Sequence, residues 1–131
     1  MKYLGIDFGA KRVGVAISDE GGKVAFPKLV LLNDNQLILR IKELCHSESV
    51  SKIVVGESRN FAGKPNPIMS SINVLVEKLK TEVGLEVILE PEFMTSEQAR
   101  RLQGENDKLD ASAAALILQS YLDKNNFIPN S

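Results

Sequence analysis

The sequence is poor in sulfur and imidazole. It holds one cysteine, Cys45, and one histidine, His46. That excludes an internal disulfide, a cysteine-cluster zinc site and a multi-histidine centre. Tryptophan is absent and aromatic residues make up 5% of the chain, which leaves few side chains for base stacking; Phe61 and Phe93 are the loop candidates. No apolar run approaches the roughly 20 residues that span a bilayer, so no membrane partner is expected. Neither charge dominates: 16 basic and 17 acidic residues give a net charge of -1. This argues against coating nucleic acid through bulk charge, but it allows an acidic centre with a basic rim. The opening Met-Lys-Tyr-Leu runs straight into a strand pattern without the charged and apolar regions of a signal peptide, so a cytoplasmic location is expected.

What is present is an ordinary globular composition, 44% hydrophobic and 25% charged over 131 residues. One core and one domain, 1–131, are expected. Residues 2–8 and 12–18 alternate as strands, and Gly9-Ala10-Lys11 between them is too short for a crossover, so they form an antiparallel hairpin. A third strand spans 23–32, with Pro27 marking an edge or a bulge. Asn33 or Asp34 then caps a helix whose apolar residues are Leu37, Ile38, Ile41, Leu44 and Cys45. Residues 51–56 read as a buried strand. A loop follows from Glu57 to Asn66. A helix starting near Pro65 and Pro67 runs to about Glu82, where Gly84 ends it. A fifth strand covers 85–92. Thr95 and Gln98 form a capping box for a short helix. An alanine-rich helix runs from Leu109 to about Leu122, with a polar, frayed tail from Asp123. The fold class is therefore α/β: a mixed five-stranded sheet with helices on both faces. Its first three strands form an antiparallel meander, and the fourth and fifth enter in parallel through helical crossovers.

Three acids fall at element ends: Asp7 on the first strand, Glu92 on the fifth and Asp110 in the first turn of the last helix. Each alone has an ordinary explanation, as a turn acid, a strand-end acid and a helix-dipole acid. Together, on this topology, they form a carboxylate-only set suited to one or two Mg²⁺ or Mn²⁺ ions, the arrangement that hydrolyses phosphodiesters. Glu90 has the same strand parity as Glu92 and could also reach Asp7. Lys11, Arg12, Arg59, Lys64, Arg100, Arg101 and Lys108 lie on segments expected to rim that cluster, where phosphates would need them. Cys45 and His46 read as a core thiol beside an exposed imidazole.

The segment Gly5-Ile6-Asp7-Phe8-Gly9-x-Lys11-x-x-Gly14-Val15-Ala16 resembles the N-terminal motif of the YqgF/RuvX family. Val54-Val55-Gly56 with Asn60 and Gly63, Glu92 with Thr95-Ser96-x-x-Ala99, and Lys108-x-Asp110-x-x-Ala113-Ala114 resemble its later motifs in order. The resemblance implies an RNase H-like nuclease. It places the catalytic and metal positions at Asp7, Glu92 and Asp110; from their positions around that cluster, Lys11, Arg12, Arg59, Asn60, Lys64 and Lys108 are the expected nucleic-acid contacts. The substrate it implies is structured RNA, in 5′-end processing of pre-16S rRNA during ribosome biogenesis, or junction DNA, as a Holliday junction resolvase. The protein would act as a monomer or homodimer. Pro91 and Phe93 stand where the family carries Asp and Arg around its Glu, and Glu57-Ser58 stands for Leu-Pro. On the residues alone two other readings exist. One is a nucleic-acid-binding module with weakened catalysis. The other is an ATP-dependent phosphotransferase built on the same hairpin, which would need a second such domain. Gly9 is expected to leave room for a close phosphate.

Overall fold

The computed structural model describes residues 1–59, 69–93 and 108–126. Its strands are β1 (Lys2–Phe8), β2 (Arg12–Ser18), β3 (Ala25–Leu32), β4 (Val50–Arg59) and β5 (Glu86–Phe93). The helices are α1 (Leu37–Ser47), α2 (Met69–Lys78) and α3 (Lys108–Asn125). The five strands form one sheet in the order β3-β2-β1-β4-β5. β1, β2 and β3 are antiparallel, while β4 runs parallel to both β1 and β5. The expected mixed sheet is thus present, and β1 and β5 end at the same edge. The two prolines of the described strands, Pro27 and Pro91, lie on the outer strands β3 and β5, where a missing N–H is tolerated. The β2–β3 register also shifts opposite Pro27.

Strand alternation sorts the core into two layers. Leu4, Ile6, Val13, Val15, Ile53 and Val55 pack against α1 and α2. Tyr3, Ala16 and Val54 pack against Ala114, Ile117, Leu118 and Leu122 of α3. The alanines let this helix approach closely. A Cβ on Gly5 would stand 2.7 Å from Leu118 Cβ and 3.0 Å from the Ala114 carbonyl oxygen, distances a side chain does not tolerate.

Several boundaries differ from the sequence reading, each for a physical reason. β4 continues through Glu57, Ser58 and Arg59, read above as loop, because they pair with Pro91, Glu92 and Phe93. α1 starts at Leu37 without a side-chain cap. Asp34 Oδ1 instead accepts from the Gln36 N–H at 2.9 Å and from Arg40 Nη1 at 3.0 Å, one turn early. α2 ends in a π-helical turn, Leu79–Val83, closed by Gly84 at φ 80° with its N–H on the Leu79 carbonyl. The end of α3 is latched through Asn126, where fraying from Asp123 was expected, and residues 127–131 lie outside the described residues. Gln119 Oε1 accepts from the Ala25 N–H at 2.9 Å, and Gln119 Nε2 donates to the Lys23 carbonyl at 2.9 Å. Asn126 Nδ2 donates to the Gly22 carbonyl at 2.8 Å. The capping box at Thr95 and the prolines at 65 and 67 lie outside the described residues.

Cys45 is 4% exposed. Burial pushes its thiol up to about 11 from 9.0, because the thiolate loses its water. The unfolded chain therefore ionises first. This thiol's contribution to stability is intact below pH 9 and is lost as pH rises towards 11. The wild type is expected to lose about 2 kcal/mol more than Cys45→Ala across that window, read from paired denaturant titrations. A thiol reagent at pH 8 should label Cys45 only after unfolding.

Candidate active site

Asp7 is the next-to-last residue of β1 and is half-buried. Ile6 pairs with Val55, and Val55 pairs with Leu89, so these three share one rung of the parallel part of the sheet. One rung further along β1 stands Asp7. At the same level on β4 and β5 are Gly56 and Glu90, which pair with each other. Gly56 contributes no side chain to the space between them.

Register puts Glu90 level with Asp7, and the contacts of Glu90 tie it to α3. Glu90 is 4% exposed. Its Oε2 accepts from Ser120 Oγ at 3.0 Å and from Lys124 Nζ at 2.5 Å. Both partners lie in the C-terminal half of α3, ten or more residues from Asp110. A buried carboxylate engaged by an ammonium and a hydroxyl is a structural tie. It holds α3 to β5. Glu92 pairs with Ser58 two rungs beyond Glu90, about 7 Å nearer the strand end. It is the β5 acid at the edge where β1 finishes.

The direction of α3 brings the third acid to that edge. Leu118 and Ala114 lie over Gly5, and Asn125 Nδ2 lies 3.5 Å from the Tyr3 hydroxyl. The helix therefore runs antiparallel to β1. Four residues from Ala114 back to Asp110 cover about 6 Å, and two residues from Gly5 on to Asp7 cover about 7 Å. The first turn of α3 is thus carried alongside the end of β1. The Gln119, Asn126 and Glu90 contacts at the far end fix the helix in that register.

The edge also gathers the basic positions. Lys11, in the β1–β2 turn, and Arg12, the first residue of β2, are both exposed. Arg59 is the last residue of β4, and Lys108 opens α3. Asn60, Lys64, Phe61, Arg100 and Arg101 lie outside the described residues. Among the described residues no group of three metal-ligating side chains is assembled.

One residue of the site escaped the sequence reading. Asn33, expected as a helix cap, instead straps the turn that carries Lys11 and Arg12. Its Nδ2 donates to the Gly9 carbonyl at 2.9 Å and to the Ala10 carbonyl at 3.3 Å. Its N–H donates to the Lys11 carbonyl at 2.9 Å. Gly9 has a related structural reason. A Cβ there would sit 2.5 Å from the Arg12 carbonyl oxygen, so the tight turn itself requires glycine, independently of any phosphate. Asn33→Ala is expected to cost about 1–2 kcal/mol and to speed amide hydrogen exchange at residues 9–12, with the sheet core unchanged. Hydrogen-exchange mass spectrometry reads this directly.

Comparison with known proteins gives a consistent result. A family model described as RuvX, Holliday junction resolvase, matches residues 1–124. A protein from Sulfurihydrogenibium sp. is 34% identical over 96% of this chain and 92% of its own length. A Listeria monocytogenes protein is 36% identical over 96% of this chain and all of its own. Both bear the provisional name pre-16S rRNA nuclease. Among solved structures, Thermus thermophilus RuvC in complex with a Holliday junction substrate superposes with a TM-score of 0.56 at 19% identity, over 95% of this chain and 96% of that one. The fowlpox virus Holliday junction resolvase gives 0.56 at 15% identity, over 95% and 99%. At these identities the two structures establish the shared RNase H-like fold.

Proposed function

The chain belongs to the RuvX family, and from that premise we propose that it is a metal-dependent nuclease acting on the 5′ end of pre-16S rRNA, with Asp7, Glu92 and Asp110 as its catalytic and metal-binding residues. The observation that carries the reading is the edge common to β1, β5 and the start of α3. Asp7, Glu92 and Asp110 are the acids carried on the parts of these elements nearest that edge, which supports the reading.

The donor set fits a hard divalent cation. It consists of carboxylate oxygens, and the chain's single imidazole and single thiol lie elsewhere, on α1. Bound there, one or two Mg²⁺ or Mn²⁺ ions would activate water and neutralise charge on the phosphate. The protein's own part is positioning. Three carboxylates brought to that edge would repel one another until a cation joined them. Lys11, Arg12, Arg59 and Lys108, with Asn60 and Lys64, would hold the backbone phosphates on either side of the scissile bond. The Asn33 bonds hold the backbone of the turn from which Lys11 and Arg12 project.

Two substitutions test the choice of acid on β5. Glu92→Gln is expected to reduce Mn²⁺-dependent cleavage of a pre-16S 5′ leader by on the order of 10³-fold. Glu90→Gln should retain cleavage within about threefold while losing about 1–2 kcal/mol of stability. The opposite ranking would move the site to Glu90. A second reading, Holliday junction resolution, is favoured by the description of the matching family model. Cutting two strands of a junction needs two active sites and hence a homodimer. Solution mass, measured beside cleavage of junction DNA and of the RNA leader, separates the two. Binding of either substrate without cleavage in saturating Mn²⁺ would leave a recognition module instead.

A further inference from the structure

On the sheet face opposite Asp7, a cleft of about 380 Å³ opens between the end of β1, the β3–α1 connection and α2. Phe8, Asn33, Asn35, Val74 and Lys78 are among its walls. We infer that this cleft takes one unpaired nucleotide of the substrate strand, next to the phosphate handled at the Asp7 edge. The inference rests on the nuclease reading and adds a requirement for single-stranded substrate beside the cut.

Four observations support it. The first is position. Phe8 directly follows Asp7 on β1, so the two side chains leave the strand on opposite faces. A strand draped over the sheet edge would pass from one to the other within about one nucleotide. The second is chemistry. Half-buried Phe8 and 56% exposed Val74 supply an apolar face for a base. Exposed Asn35 supplies a donor and an acceptor for a base edge, and Lys78 a cation for a phosphate. The third is charge. Asp34, the one acid among the described residues of the wall, is occupied by both carboxylate oxygens with Arg40, at 3.0 and 3.2 Å, which reduces its repulsion of phosphate. The fourth is continuity. Asn33 walls the cleft and also straps the turn bearing Lys11 and Arg12. The volume lies at the small end of ligand sites, suited to a single nucleotide and too small for a duplex.

The absence of tryptophan provides a clean reporter. Phe8→Trp in an Asp7→Asn background places the chain's sole indole in the cleft. Titration with single-stranded oligoadenylate should quench its emission saturably, and blunt duplex of the same length should not. A sole indole at Leu39, introduced as Leu39→Trp on an exposed position outside the cleft, should stay unquenched. Because Phe8 also touches the core, a second variant leaves it intact. Asn35→Ala with Lys78→Ala, both exposed positions, should weaken oligoadenylate binding about tenfold, read by anisotropy of a labelled strand. Oligoadenylate binding with a silent Phe8→Trp reporter, equal quenching by duplex, or unchanged affinity in the double variant would each overturn the cleft assignment. If the wild type still cleaves the leader in an Asp7-dependent way, the nuclease reading survives that failure. If the wild type cleaves nothing, both fall together.

Discussion

Replacing Asp7 with Asn is expected to lower metal-dependent cleavage by on the order of 10³-fold or more, while the melting temperature moves by only a few degrees. The substitution is isosteric, so the β1 ladder and the turn beyond it are preserved. What it removes is one negative charge from the acid set. A hard cation held by carboxylates loses several kcal/mol of stabilisation with that charge, and each 1.4 kcal/mol is a factor of ten in rate. Cleavage of the pre-16S leader is measured over a range of Mn²⁺, beside a thermal melt of the same preparation. Full activity with a normal melt would remove Asp7 from the chemistry and leave it as a turn residue.

The second large effect is expected at a residue with no chemistry of its own. Gly5→Val should cost about 3 kcal/mol, lower the melting temperature by about 10 °C, and abolish cleavage even where the protein is still folded. A side chain at residue 5 would meet Leu118 Cβ at 2.7 Å and the Ala114 carbonyl oxygen at 3.0 Å. The second of these is backbone and cannot rotate away. The strain is relieved only by lifting α3 from the sheet, and lifting it moves the first turn, where Asp110 sits. Activity measured well below the melting temperature separates this displacement from simple unfolding. An intact melt with normal cleavage would mean that the α3–β1 distance does not position the site.

The parts of the fold that were legible in the sequence are those governed by local periodicity. β1 and β2 alternate cleanly because one layer of core lies on each face. Ile72, Leu75, Val76 and Leu79, at helical spacing along α2 and its closing turn, are all buried. Gly84 ends its last turn as its φ of 80° requires. Asp7, Glu92 and Asp110 fall near the ends of β1 and β5 and in the first turn of α3, the elements on which the sequence reading set them. The features that stayed hidden depend on partners distant in sequence. Glu57, Ser58 and Arg59 look like loop, and become strand only because β5 runs beside them. Asn33 resembles a helix cap, and its role as a strap shows only when the hairpin turn, more than twenty residues earlier, is in place. Gln119 and Asn126 look like solvated surface on a helix tail, yet they bond backbone carbonyls in the β2–β3 turn about a hundred residues earlier. Glu90 and Glu92 share a parity, so pattern alone could not rank them. Burial and the contacts with Ser120 and Lys124 assign Glu90 to holding the helix.

The division of labour proposed for these acids is therefore the centre of the account: Glu90 ties the fold together, and Asp7, Glu92 and Asp110 are proposed to bind metal. Calorimetric titration of Mn²⁺ into the wild type, Asp7→Asn, Glu92→Gln, Asp110→Asn and Glu90→Gln tests it most directly, without any assumption about the substrate. The account predicts saturable binding of one or two ions by the wild type and by Glu90→Gln, with affinity reduced at least tenfold in each of the other three. Wild-type affinity in those three, or its loss in Glu90→Gln alone, would contradict it.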